Sequence, residues 1–392
     1  MKNRALIIDF LLYAGSAIFA ALTIGSNLAS HRPWGAFAAV GYATAAVAVL
    51  LTRGKGRLPI TLATWGAVCL LPLLFEAVQR AAGHSGRAQE EVLVVENSGV
   101  RMLETGTPFL GRSEIAALPD PLLGYTPYQP GMAVFGIPRG LLGAHWLTDA
   151  RIWFALATII VLYLSARVAA DRGRVLAIQA VTVLPVAALT LATGGDDLPV
   201  LALTLLGLSL LAQGRDTVAG VAIGIAAALK LFAWPVALVF LIARPRQWLP
   251  VAGIPILTAL PALIIDPHAF AENVVKFPLG HGLVKSPAAS PLPGHLIAEN
   301  VSRELALGLL LLAGLCIAAW IWKRRPSTAA DVALISAVGL FTAMMLMPAT
   351  RFGYLLYPAA YALWIPYLKA LAGSGNETGL PPRLRESSPA GS

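Results

Sequence analysis

The chain has 392 residues, 57% of them hydrophobic and 12% charged, with a mean hydropathy of +0.72 and a formal charge of +9. A soluble domain carries roughly 25% charged residues, so half that fraction, with apolar runs of about 20 residues, argues against a water-soluble protein and for a bilayer as solvent. The basic surplus does not point to nucleic acid, because Lys and Arg cluster in short segments between apolar runs, the signature of cytoplasmic loops.

In chain order, spans are predicted at 5–29, 34–52, 58–78, 151–170, 175–193, 198–213, 217–229, 231–243, 249–266, 304–322, 328–348 and 353–372. The runs do not alternate as barrel strands would, so the predicted fold is an all-α polytopic membrane protein. It has about 12 membrane helices, two of them short. The first run is too long for a signal peptide and reads as a retained helix with its basic end inside. Cys69 and Cys316 lie within apolar runs, and their number and spacing give neither a disulfide framework nor a metal site.

Orientation follows the basic clusters at Arg53–Arg57, Arg172–Arg174, Arg215, Arg244–Arg246 and Lys323–Arg325. All fall on one side if the N-terminus is cytoplasmic. The loops 79–150 and 267–303 then face outward. Residues 217–243 are long enough for one crossing, yet Arg215 and Arg244 flank both ends. Two short helices meeting near Lys230 resolve the conflict, with the lysine turned toward an outward cavity; the alternative is a lysine snorkelling from a conventional helix. Residues 1–372 read as one membrane domain, and 373–392 as a disordered cytoplasmic tail rich in Gly, Ser, Pro and charge.

No Walker loop, HExxH, GxSxG or CxxC is present. The candidate site residues are polar groups of the outer loops. The segment from Glu90 to Phe109 reads as an amphipathic helix closed by Gly106, on which Glu96 is either a desolvated acid able to act as a base or one surface acid among several. Tyr125–Gly131, with Tyr128, is a rigid Pro-rich turn. Gly194–Asp197 is a tight turn whose Asp196 and Asp197 either bind a cation or sugar or cap the next helix. Lys276–His295 is too polar and Pro-rich to cross; it is either a clamp for an anionic head group, through its cations and small hydroxyl residues with His281 and His295, or an ordinary exposed loop. Arg351, with Tyr354 and Tyr357, reads either as a phosphate site or as an interface belt.

Taken together these motifs resemble the GT-C superfamily of membrane glycosyltransferases, and within it glycosyltransferase family 87, over about residues 5–372. The resemblance is carried by Glu96 ahead of Leu103-Glu-Thr-Gly-Thr-Pro-Phe109, by Tyr125-Thr-Pro-Tyr-Gln-Pro130, by Gly194-Gly-Asp-Asp197, by the Gly-rich helix ending at Lys230, and by Arg351-Phe-Gly-Tyr-Leu-Leu-Tyr-Pro358. It departs from the family at the loop acid, usually Asp, and in having two crossings before the span that leads into the loop.

The resemblance implies a hexosyltransferase of the plasma membrane with its site on the outer face. It would move a sugar, mannose by the family's habit, from a polyprenyl-phosphate donor to an envelope lipid or glycan acceptor. No metal or other cofactor is implied, and membrane lipids and the two substrates are the implied partners, with no nucleic acid. It makes Glu96 the catalytic base and places Lys230, Arg351, Tyr354, His281, Asp196, Asp197, Tyr128 and His295 at the substrates. A transporter or flippase of a lipid-linked substrate is the alternative; it predicts broken helices in two related halves, and no strong internal repeat is seen. A non-catalytic membrane scaffold would leave these polar residues without a shared pocket.

Overall fold

The computed structural model describes residues 2–167 and 173–377, and among them the fold is helical, with a single isolated β-bridge between Ala289 and Thr350. Arg172 and the tail beyond residue 377 lie outside the described residues. The principal helices are α1 (Lys2–Thr23), α2 (His31–Leu51), α3 (Arg57–Ala81), α4 (Glu90–Thr105), α5 (Ala150–Ala166), α6 (Arg174–Thr182) and α7 (Pro185–Thr193). They continue with α8 (Asp197–Ala212), α9 (Asp216–Leu229), α10 (Trp234–Ala243), α11 (Trp248–Ile265), α12 (Arg303–Lys323), α13 (Ala329–Leu346) and α14 (Leu356–Glu377).

Among the described residues six helical stretches are long and apolar enough to cross a bilayer, seven if the bent pair α6–α7 counts as one, and four further apolar helices are shorter. The count of twelve crossings is therefore not reproduced as such, and two interruptions explain much of the difference. The run expected at 175–193 breaks at Val183–Leu184, where Pro185 starts a new helix and the axis bends by 43°. Proline has no N–H to give and its ring crowds the preceding turn. The Val183 carbonyl left at this break accepts from the Tyr42 hydroxyl at 2.7 Å, which matters because an unmet backbone group costs several kcal/mol in hydrocarbon.

The second interruption lies where the flanking arginines placed it. α9 ends at Leu229, Lys230 is extended (φ −152°, ψ 144°), and a 3-10 turn leads into α10. The chain doubles back: Arg244 Nε, after α10, lies 2.9 Å from Asp216 Oδ2 at the start of α9. The 14 residues of α9 rise about 21 Å at 1.5 Å each, short of the roughly 30 Å of hydrocarbon. Lys230 is the tip of a V.

Helix direction sorts the bundle into two ends. Loops 79–150 and 267–303 gather at one, with the C-termini of α3, α7 and α9 and the N-termini of α5 and α8. The described residues of the basic clusters, at Arg53–Arg57, Arg174, Arg215, Arg244–Arg246 and Lys323–Arg325, gather at the other. There Asp9, buried in α1, takes two hydrogen bonds from Arg57 (2.5 and 2.8 Å) and one from Gln179 (3.1 Å), pinning α1, α3 and α6 together. α14 is the central post: Tyr357, Tyr361, Trp364, Leu368 and Leu371 recur at three- and four-residue spacing and are all buried, and Tyr361 shares a hydrogen bond of 2.7 Å with Thr204 of α8. α14 also runs on to Glu377, past the boundary expected at 372.

Candidate active site

α4 is the helix expected from the loop sequence, and Gly106 closes it in the left-handed conformation (φ 77°) that glycine adopts without a Cβ penalty. Its buried face carries Val92, Val95 and Gly99; Leu103, one turn further on, is exposed. A Cβ on Gly99 would collide with the backbone of Gly136, so α4 lies almost backbone to backbone on the 3-10 turn Pro130–Gly136.

The Tyr125–Gly131 turn is fixed from two sides. Gln129 N–H donates to the Leu229 carbonyl at 3.1 Å, at the open end of α9. A Cβ on Gly131 would stand 2.5 Å from the Ala228 carbonyl oxygen, so only glycine lets the turn approach. This docking holds the Tyr128 ring over Lys230 Nζ, 5.3 Å from its centroid.

Lys230 is 6% exposed. Its Nζ donates to Asp196 Oδ2 at 2.7 Å and to Asp197 Oδ1 at 2.6 Å, and Tyr357 Oη donates to Asp197 Oδ1 at 2.8 Å. Phe232 and Tyr354 close the cage at 5.8 and 5.7 Å from Nζ. The Asp196–Asp197 turn is therefore neither a solvated cap nor an open cation site: its charges are turned inward on a lysine.

Arg351 stands beside this cage. Its guanidinium pairs with Glu91 in the first turn of α4, and Tyr128 and Tyr354 lie near enough to bear on its pKa. Burial works against the Arg351 charge, but Glu91 and the tyrosines more than offset it, so its pKa lies above the usual guanidinium value. Burial likewise pushes the Tyr128 hydroxyl well up, so it stays a neutral donor. The backbone around Arg351 is tied to the second loop: Thr350 N–H donates to the Ala288 carbonyl and Ser290 N–H to the Thr350 carbonyl, both at 2.9 Å, while Phe352 N–H donates to Ser290 Oγ at 3.0 Å.

Six of the nine expected residues thus come together: Tyr128, Asp196, Asp197, Lys230, Arg351 and Tyr354. Three do not. His281 is exposed and offers its backbone carbonyl to Arg112 at 3.3 Å. His295 holds the Pro348 carbonyl through Nδ1 at 2.9 Å and faces Glu299 through Nε2 at 3.3 Å. Both brace loops.

Glu96 is 3% exposed and its carboxylate is fully engaged elsewhere. Arg80 grips both oxygens at 2.7 Å, and the Ala150 N–H donates to Oε1 at 3.1 Å. The cluster continues through Asp149, which takes Arg80 at 3.0 Å and Arg151 at 2.8 Å, to Glu76, which takes Arg151 Nη1 at 2.9 Å. Burial alone would raise the Asp149 carboxyl, but Arg151 and Arg80 hold it down to about 2. Glu96 sits five residues beyond Glu91. At 3.6 residues per turn that is about 140° around the helix, so the two acids face different surroundings. Glu96 is expected at the site from its apolar neighbours and, by the resemblance, from its place ahead of the Gly106–Phe109 turn; in the structure it is buried and paired with Arg80. The signal for Glu91 was its place in the first turn of α4, where its side chain reaches past the helix end.

Among the described residues no three His, Cys, Asp or Glu side chains are grouped to hold a metal ion. The second loop is locked to the first through Glu272: Arg112 Nη1 approaches its Oε1 at 2.7 Å, and Tyr125 Oη donates to it at 2.9 Å. Asn273 adds a hydrogen bond from the Thr126 N–H at 2.8 Å.

A helical membrane bundle with two loops folded over one end, enclosing a cage of aromatic rings and paired charges, defines a polytopic membrane protein with a loop-covered polar site. Residues 125–348 match glycosyltransferase family 87, more than half of the 392-residue chain, and the protein belongs to that family. The matched stretch holds Tyr128, Asp196, Asp197 and Lys230, with Glu91, Glu96, Arg351 and Tyr354 outside it. Among solved structures, ArnT from Cupriavidus metallidurans in the apo state is similar over 82% of this chain and 60% of its own, at 18% identity and a TM-score of 0.41. The chain thus spans about three fifths of that protein's length. No curated protein sequence matches it.

Proposed function

We propose that the protein is a glycosyltransferase that takes a sugar, mannose by family resemblance, from a polyprenyl-phosphate donor. The sugar passes to an envelope lipid or glycan acceptor at the outer face of the plasma membrane. The observation that carries this reading is Arg351: a partly exposed guanidinium (31%) at the mouth of a tyrosine-lined cage. A lipid phosphate leaves as a stabilised anion, so transfer needs a cation at the departing phosphate and a base at the acceptor hydroxyl. It needs no nucleotide-binding fold. Lys230, fully taken by Asp196 and Asp197, fixes the cage, and Arg351 meets the phosphate.

The test uses purified protein in nanodiscs with radiolabelled polyprenyl-phosphate-mannose and a membrane lipid extract. Labelled product should form. Arg351→Met should weaken donor binding by about 10- to 150-fold, the loss of one charge-assisted contact. Unchanged donor affinity in the variant would remove Arg351 from the site. The breaks at Val183–Leu184 and Lys230 are the observation that favours a lipid-linked-substrate flippase. Translocation of the labelled lipid across vesicles without any transfer product would decide for that reading.

A further inference from the structure

The cage and its mouth carry Lys230 and Arg351 against Asp196, Asp197 and Glu91, a net charge of −1. An added phosphate is repelled unless one carboxylate gives way. Asp196 and Asp197 cannot, because each is buried and hydrogen-bonded to Lys230. Glu91 can: it is 18% exposed, its partner Arg351 is 31% exposed, and that pair is the one exchangeable contact of the five charges. Glu91 also stands at the start of a helix whose entry is fixed by backbone, Gln89 N–H donating to the Thr193 carbonyl at 2.9 Å. Its side chain can therefore swing without moving α4.

We infer that the Glu91–Arg351 pair is a latch opened by the donor: phosphate takes Arg351, and the displaced Glu91 carboxylate becomes the base for the acceptor hydroxyl. This rests on the reading of the site as one for a lipid-phosphate sugar. The acceptor oxygen forms a bond to the sugar's anomeric carbon as the bond from that carbon to the phosphate oxygen breaks. The electron pair stays with the lipid phosphate, which leaves facing Arg351 with one more negative charge. The acceptor proton passes to Glu91 and then to water. The base is unmasked only when donor is present, so order of binding is built into one ion pair. Glu96 has no such freedom, since it would have to leave Arg80 and the Ala150 N–H.

The test measures two quantities on the full-length protein in nanodiscs: binding of a short-chain polyprenyl phosphate, and sugar transfer at saturating donor. Glu91→Gln removes the competing anion, so the polyprenyl phosphate should bind about tenfold tighter, while transfer falls by about 10²–10⁴-fold. Glu91→Ala should regain part of its transfer when formate is added, and Glu91→Asp should keep part of it. Glu104→Gln, exposed at the far end of α4, should match wild type. A mere brace between α4 and Arg351 predicts the opposite for Glu91→Gln, weaker binding with no formate rescue, and that result would overturn the latch. Tighter binding with undiminished transfer would overturn the proton role. Wild-type protein that binds no polyprenyl phosphate would instead sink the reading of the site on which the latch rests.

Discussion

At the scale of single residues, two kinds of buried charge have opposite expectations. Lys230 holds two aspartates apart, so Lys230→Met leaves two adjacent buried carboxylates facing each other. Breaking a buried pair in this way costs about 3–5 kcal/mol. The variant should melt at clearly lower temperature in detergent, and adding Asp197→Asn should recover part of the loss; a wild-type melting point in the single variant would refute the inward-facing role. Glu96→Gln should likewise lower stability, by about 1.5–3 kcal/mol for the lost charge-assisted bonds to Arg80. If it instead leaves the melting point alone and abolishes transfer, Glu96 returns as the base. Residue types were legible in the sequence here, but partners were not. Arg80 and Asp149 lie 16 and 53 positions from Glu96, and nothing in a linear reading ranks them above the other loop charges. Six of the nine residues expected at the site come together in the structure; Tyr128, Asp196, Asp197, Arg351 and Tyr354 belong to segments rich in Pro or Gly between helices, and Lys230 stood out as a charge inside an apolar run. His281 and His295 belong to the same Pro-rich loop, yet His281 is exposed and His295, on a short helix, is turned to the Pro348 carbonyl.

At the scale of elements, the close approach of α4 to the Pro130–Gly136 turn sets where Glu91 and Tyr128 meet the cage. Gly99→Ala puts a methyl into the Gly136 backbone, and overpacking of this kind costs about 1–3 kcal/mol. Transfer should fall with stability, measured by melting and by turnover, and an unaffected variant would show that the helix stands further off. The break at Lys230 was legible because two arginine clusters demanded it, a constraint from charge and not from propensity. The break at Val183–Leu184 was missed although Pro185 was in plain view. Proline is tolerated in membrane helices where neighbouring groups meet the freed backbone, and helices here run through Pro255, Pro261 and Pro366, so Pro185 did not by itself mark a break.

At the scale of the whole molecule, the two ends of the bundle differ in charge as the basic clusters suggested. Cysteine placed at Ser113, in a background with Cys69 and Cys316 replaced, should react with an impermeant reagent added outside intact cells, and one at Lys55 should be spared. Both positions are exposed, so protection by packing does not confuse the reading; the reverse pattern would invert the topology. Helical class came from hydropathy, and the side on which the loops lie from the basic clusters. How the loops fold onto each other came from neither, because the joints through Glu272 and Asn273 link residues about 150 positions apart.

The pairing of Ala289 with Thr350 gives loop length a meaning that composition does not reveal. The second loop is fastened at Asn273 to the first loop and at Ser290 to the segment that carries Arg351. Leu283 N–H adds a further tie to Tyr125 Oη of the first loop at 2.7 Å, so the six residues from there to Ser290, 284–289, act as a ruler: they set how far a guanidinium stands from a glutamate that neither end of the ruler touches. Shortening that stretch would move the arginine while leaving every residue of the cage in the sequence.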